Sequence, residues 1–195
     1  PKVNIIDEQI EVSEEKLIKI INKTAGNIRR VVFSGGEPTI QQKQLEVVMR
    51  TLKEQDPVWK FEMETNGTMK LLPEVYFQLN QINCSPKLES SGNQEKLRNR
   101  PEAIQQYKSL YLDELMALQF KFVVGPKTFN KDLKEIQSWQ KEHNIPSDII
   151  YLMPQGITEK VIKEGSLKLA KTCQKYNYNL STRLHILLYG SKRAV

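Results

Sequence analysis

Residues 31–38 read Val31-Val32-Phe33-Ser34-Gly35-Gly36-Glu37-Pro38, a run of strand-forming side chains that stops on two glycines, an acid and a proline. Valine and phenylalanine fit a pleated, buried surface, so Val31-Val32-Phe33 is predicted as a short buried strand ending at Gly35-Gly36. The glycines let backbone amides and carbonyls approach a ligand without interference from a Cβ, and Pro38 stiffens the turn. Glu37 sets a carboxylate beside that backbone. Left unpaired in a closed pocket it would need a cation, and a ligand ammonium group would serve. The loop is not a phosphate cradle, because the GKS or GKT ending is absent. The blander reading is a strand-to-helix turn with an exposed glutamate.

The same alternation runs through the chain on both sides. Ser13 can cap a helix whose Leu17, Ile20 and Ile21 share one face. Leu45, Val48 and Leu52 mark a second helix. A strand over Trp59 to Met63 runs into Glu64-Thr65-Asn66-Gly67. A short helix is predicted over Leu72 to Leu79, a strand over Gln81 to Cys84, a loop over 89–100 and mostly helix from Pro101 to Leu118. Strands follow at Phe120 to Val124 and Ile149 to Met153, with helices at Lys131 to Glu142 and Thr158 to Tyr176. A last strand is predicted near Leu184 to Leu188. Strands separated by helices imply parallel βα units. Five or six such units are too few for a closed eight-stranded barrel, so an open, partial parallel β/α barrel in one domain over 1–195 fits better.

In parallel α/β architectures ligands bind beyond the carboxyl ends of the strands, and the unusual residues of this chain sit there. Glu64 and Asn66 could exchange hydrogen bonds with ribose hydroxyls; the blander reading is a common Asn-Gly turn. Ser85 and Lys87 flank Pro86, which sets the direction of both, and Lys87 could meet a ligand carboxylate as a point charge. Met153-Pro154-Gln155-Gly156 ends the fifth strand. Arg183 and His185 fall on the predicted last strand, where His185 would point to the face opposite Leu184 and Ile186. A lone strand histidine is more often structural than catalytic. His143, in a predicted polar loop, has no assigned role, and Cys84 reads as a packed small hydrophobe.

The 195 residues are 39% hydrophobic and 27% charged, the balance of a soluble globular chain, and no apolar run is long enough to span a bilayer. Two cysteines, Cys84 and Cys173, lie far apart with no CxxC spacing, so cytoplasmic residence with free thiols is expected. The net charge of +6 suits an anionic partner. The cations are dispersed among acids, however, with no basic stripe interleaved with aromatics, which argues against nucleic acid.

The segments FSGGEP, ETNGT, SPKL, KFVV, LMPQG and RLHILLYG, in this order, resemble the 7-carboxy-7-deazaguanine synthases of the radical S-adenosylmethionine (SAM) superfamily, from about residue 28 to the C-terminus. The resemblance implies that Gly36 and Glu37 meet the amino group of SAM and that Gly35, Ser85, Pro86 and Lys87 line its site. Met153, Pro154, Gln155 and Gly156 would cover its adenine, with Glu64 and Asn66 near its ribose and methionyl part. Ser34, His185 and the terminal carboxylate of Val195 would reach a pterin. It further implies a [4Fe–4S] cluster, Mg²⁺, an electron donor such as flavodoxin or ferredoxin, and a homodimer. The implied reaction is contraction of 6-carboxy-5,6,7,8-tetrahydropterin to 7-carboxy-7-deazaguanine with loss of ammonia. Such an enzyme needs three cysteine thiolates for its cluster, and Cys84 and Cys173 cannot form that triad. The resemblance places the triad, with the Mg²⁺ contact, just upstream of Pro1, so the N-terminal unit of the barrel is expected to be missing from this chain. The alternatives are a non-catalytic SAM- or pterin-binding relic, a glycyl-radical activating enzyme, which leaves RLHILLYG unexplained, and a basic nucleic-acid module.

Overall fold

The computed structural model describes residues 10–190. Six parallel strands form one sheet in sequential order, β1 (Arg30–Phe33), β2 (Lys60–Thr65), β3 (Gln81–Cys84), β4 (Ala117–Val124), β5 (Ile150–Pro154) and β6 (Asn179–Leu180). A parallel crossover is right-handed almost without exception. When every crossover also steps the same way, the connecting helices all fall on one face of the sheet. They are α2 (Gln42–Gln55), α3 (Pro73–Tyr76), α4 (Glu95–Arg98), α5 (Pro101–Leu112), α6 (Phe129–His143) and α7 (Glu159–Tyr176), with α1 (Glu14–Ala25) packed beside α2. The result is the open parallel α/β sheet expected from the sequence, a partial barrel whose other face looks inward. No described helix is long and apolar enough to cross a membrane.

Strand alternation sorts the side chains between the two faces. Phe61, Met63, Ile82, Cys84, Phe120, Phe122, Ile150 and Leu152 face the helices and are fully buried. They meet Val48, Met49 and Leu52 of α2, Ile104 and Tyr107 of α5 and Ile136 of α6 in one contiguous core. Trp139 of α6 sets its edge against both Phe120 and Phe122 at 5.0 Å. The residues between them, Glu62, Glu64, Gln81, Asn83, Gln119, Lys121 and Tyr151, line the inward face.

Several expectations need correcting. Residues 184–189 are a helix, α8, and the sixth strand is the two-residue β6 that follows α7 directly. A short apolar run does not distinguish helix from strand by period. Here Gly190, at φ 66, ends a helical turn, its N–H bonding to the carbonyl of Ile186, and only Ile186 is buried. His185 is therefore helical, and the alternation argument for its direction does not apply. In α1 the buried side chain is Ile18, with Leu17 and Ile21 flanking it, while Ile20 is exposed. Among the described residues β1 is an edge strand, and its Val32 is 48% exposed rather than buried. The helix predicted to Leu118 stops at Leu112, because β4 begins at Ala117, level with Gln81. The stretch 89–100 holds a 3₁₀ turn at Glu89–Ser91 and the single-turn α4. His143 is not in a loop: it ends α6, buried against Trp139.

Candidate functional site

At the carboxyl edge of the strands the inward face opens into a cavity of about 510 Å³, within the size range of small-molecule sites. Ser34, Gly35, Gly36, Glu64, Asn66, Ser85, Lys87, Met153 and His185 line it, and they come from the ends of β1, β2, β3 and β5 and from α8. Pro86 and Gln155 line a small adjoining cleft that shares Ser85, Lys87 and Val123 with the main cavity. Pro154 and Gly156 line neither. Pro154 faces Gly165 of α7, while the carbonyl of Gly156 accepts Nη1 of Arg183 at 2.9 Å. Val195 lies outside the described residues.

Gly35 and Gly36 take φ values of +88° and +54°, a region that side chains disfavour. A Cβ at either would meet no atom within 4 Å, so the demand for glycine comes from backbone conformation and from the cavity beside it. Glu37 behaves differently from the sequence reading. Its Oε1 accepts from Thr39 N at 3.2 Å, Thr39 Oγ1 at 2.7 Å and Thr65 Oγ1 at 2.6 Å, and its Oε2 accepts from Asn66 N at 2.7 Å. The carboxylate thus finds its hydrogen-bond donors within the chain. It ties the loop after β1 to the loop after β2. Asn66 turns its Oδ1 to Thr68 N and Oγ1, at 3.0 and 2.6 Å, leaving its amide N–H₂ for the cavity. The loop after β3 is set by Ser85 N donating to Thr65 O at 2.7 Å.

Glu64 is held from two sides. Ser34 Oγ donates to its Oε2 at 2.7 Å, and Lys121 Nζ stands 3.8 Å from its Oε1. The lining therefore carries Lys87, Lys121 and Arg183 against the single carboxylate of Glu64, a field that favours an anionic ligand. Sequence reasoning assigned no role to Asn83, Lys121, Val123, Ser181, Thr182 or Arg183, all of which line the cavity. Lys121 carried a readable signal: it alternates with Phe120, Phe122 and Val124, so it had to face inward. Thr182 gave none, and Arg183, expected on a last strand, instead stands at the start of α8.

The described residues do not fit an iron–sulfur cluster. Cys84 is fully buried, burial pushes its thiol well up, and a Cβ on Gly67 would sit 2.7 Å from its Sγ. Cys173 is buried elsewhere, its thiol donating to Asn179 O at 3.3 Å, and burial pushes that thiol up too. Among the described residues no three His, Cys, Asp or Glu side chains gather to hold a metal.

No family model matches the chain. It is 26% identical over 167 residues to a 7-carboxy-7-deazaguanine synthase of Pyrobaculum aerophilum, covering 85% of this chain and 68% of the relative. To the synthase of Rhodopirellula baltica it is 26% identical over 186 residues, covering 92% and 68%. To that of Rickettsia prowazekii it is 35% identical over 89 residues, covering 45% and 35%. A crystal structure of QueE from Escherichia coli matches with a TM-score of 0.58 at 22% identity, a likeness of fold that covers 88% of this chain and 64% of that one. The chain thus spans about two thirds of the length of the proteins it matches. In sequence it is similar to the 7-carboxy-7-deazaguanine synthases, and in fold it is similar to QueE.

Proposed function

We propose that the protein acts as a 7-carboxy-7-deazaguanine synthase, converting 6-carboxy-5,6,7,8-tetrahydropterin to 7-carboxy-7-deazaguanine with loss of ammonia, in SAM-dependent deazapurine (queuosine precursor) biosynthesis. One observation carries the reading: segments that lie far apart in sequence and resemble that family deliver their polar residues to one cavity at the carboxyl edge of the sheet. On this reading the backbone of Gly35 and Gly36 meets the amino group of SAM. Glu37 acts by holding that loop to Thr65 and Asn66. Ser85, Pro86 and Lys87 line the SAM side, Met153 and Gln155 cover the adenine, and Asn66 lies near the ribose. Ser34 and His185 face the pterin. The hydrogen bond from Ser34 to Glu64 joins a residue assigned to the pterin with one assigned to SAM, so Glu64 marks the boundary between the two ligands.

No group among the described residues fits a [4Fe–4S] cluster, so the roles assigned to this chain are to bind, orient and shield. The reading extends to Mg²⁺ as an aid, to flavodoxin or ferredoxin as electron donor, to a homodimer and to the cytoplasm. The full gene product, reconstituted anaerobically with iron and sulfide, is expected to gain the visible absorption of a cluster. Given SAM and a reductant, it is then expected to form a product with the mass of 7-carboxy-7-deazaguanine. A preparation that takes up no cluster, or that leaves the pterin unchanged, overturns the enzyme reading.

A further inference from the structure

Lys121 belongs to a strand, whereas the other two lining cations, Lys87 and Arg183, do not. Lys87 follows the end of β3, and Arg183 is tethered to the carbonyl of Gly156, whereas Lys121 stands in mid-β4, one inward step before Val123. Glu64 on β2 is level with Asn83 on β3, which is level with Gln119 on β4. Strands lie roughly 4.8 Å apart, so the lysine stem has to cross above Asn83 to bring its Nζ toward Glu64. It stops at 3.8 Å, longer than the roughly 2.7–3.2 Å of a formed hydrogen bond.

The ammonium is therefore drawn to Glu64 without being spent on it. Its N–H donors meet no acceptor at hydrogen-bond distance among the described residues. The side chain is only 21% exposed, and a shielded ammonium with unmet donors favours an anionic acceptor in the same space. Ser34 occupies the other oxygen of Glu64 at 2.7 Å, so the carboxylate cannot swing over to complete the pair unless it gives up that bond.

We propose that Lys121 is the specificity-determining residue that takes the carboxylate of a carboxylated N-heterocycle on the cavity floor, with Glu64 acting as a positioning residue that holds the ammonium there. This rests on the reading of the cavity as a pterin site and states which side chain distinguishes a carboxylated ring from a bare one.

The test titrates 6-carboxypterin and unsubstituted pterin, by fluorescence quenching, into the full gene product and its K121M and K121R variants. SAM binding is measured on the same preparations by equilibrium dialysis. The parent protein is expected to bind the carboxylated ring about tenfold or more tightly than the bare ring, the scale of one charge-assisted hydrogen bond. K121M should bring the two rings within about threefold of each other and leave SAM binding unchanged, while K121R should keep most of the preference. A preference that survives K121M, or a parent protein that binds both rings equally, overturns the assignment and leaves the pterin reading standing. Loss of SAM binding in K121M also overturns it, because Lys121 would then serve SAM or the integrity of the pocket. A parent protein that binds neither ring defeats the pterin reading and the assignment with it.

Discussion

The face of the sheet that meets the helices and the face that looks inward are built from alternate residues of the same strands, yet they follow opposite rules. Toward the helices, every second side chain is apolar and sealed from water, and large rings such as Phe61 and Phe120 are locked by their neighbours. Toward the interior, the intervening residues are Glu62, Glu64, Gln81, Asn83, Gln119 and Lys121, joined by polar contacts. Asn83 bonds Glu62 at 3.2 Å and accepts from Gln81 at 2.7 Å, and Arg30 pairs with Glu62 at 3.2 Å. Folding energy is concentrated on the first face and ligand chemistry on the second, so neighbouring residues in one strand should respond very differently to the same substitution.

The largest effect should come from a pair of adjacent residues in β4. Phe120→Ala removes a fully buried ring packed on Trp139 and is expected to cost about 3–5 kcal/mol in urea unfolding. Gln119→Ala, one residue earlier and facing inward, should cost less than about 0.5 kcal/mol. Comparable losses at both positions would erase the distinction between the faces.

Two glycines give a narrower comparison. Gly67 and Gly35 both have positive φ, but a Cβ on Gly67 would come within 2.7 Å of Cys84 Sγ and 3.1 Å of Ile104 Cδ1, whereas one on Gly35 would meet nothing. Gly67→Ala should therefore combine strain with overpacking, about 2–3 kcal/mol, and Gly35→Ala strain alone, about 1 kcal/mol. Chemical denaturation of the two variants side by side checks the order, and an equal loss would show that packing beneath Gly67 yields freely.

The smallest effect is a titration on the packed side. His143 is 2% exposed, its Nε2 has no partner, and burial holds its pKa below the usual histidine value. Because the folded-state value is depressed, the unfolded chain takes up the proton first as pH falls. The contribution is present above about pH 6.5 and is lost below it, by at most about 1.4 kcal/mol per pH unit until the folded-state value is reached. Urea midpoints at about pH 7.5 and about pH 5.5 should differ less in His143→Phe than in the parent protein. An unchanged difference would place the acid sensitivity elsewhere.

Much of this architecture is legible in the chain before any coordinates. The period-two pattern of Phe120-Lys121-Phe122-Val123-Val124 separates core from cavity by itself, and the breaks at Gly35-Gly36, Asn66-Gly67 and Ser85-Pro86 mark the strand ends that form the site. Two things are not legible there. The hexapeptide Leu184–Tyr189 is too short for its period to separate helix from strand, and its state depends on the turn at Gly190 and on packing against α7. The fate of the Glu37 carboxylate is equally hidden, because its partners Thr65 and Asn66 are 28 and 29 residues away and come within reach only after β1 and β2 pair in register.

The Glu37 bridge has a consequence for the cost of recognition. Two loops that would otherwise sample many arrangements are ordered once, during folding, and an arriving ligand does not have to order them again. A wall set in advance loses less entropy on association than one that must be arranged around its guest. The bridge also fixes the two wall segments to each other, so a ligand that docks against the glycines finds Asn66 already in place.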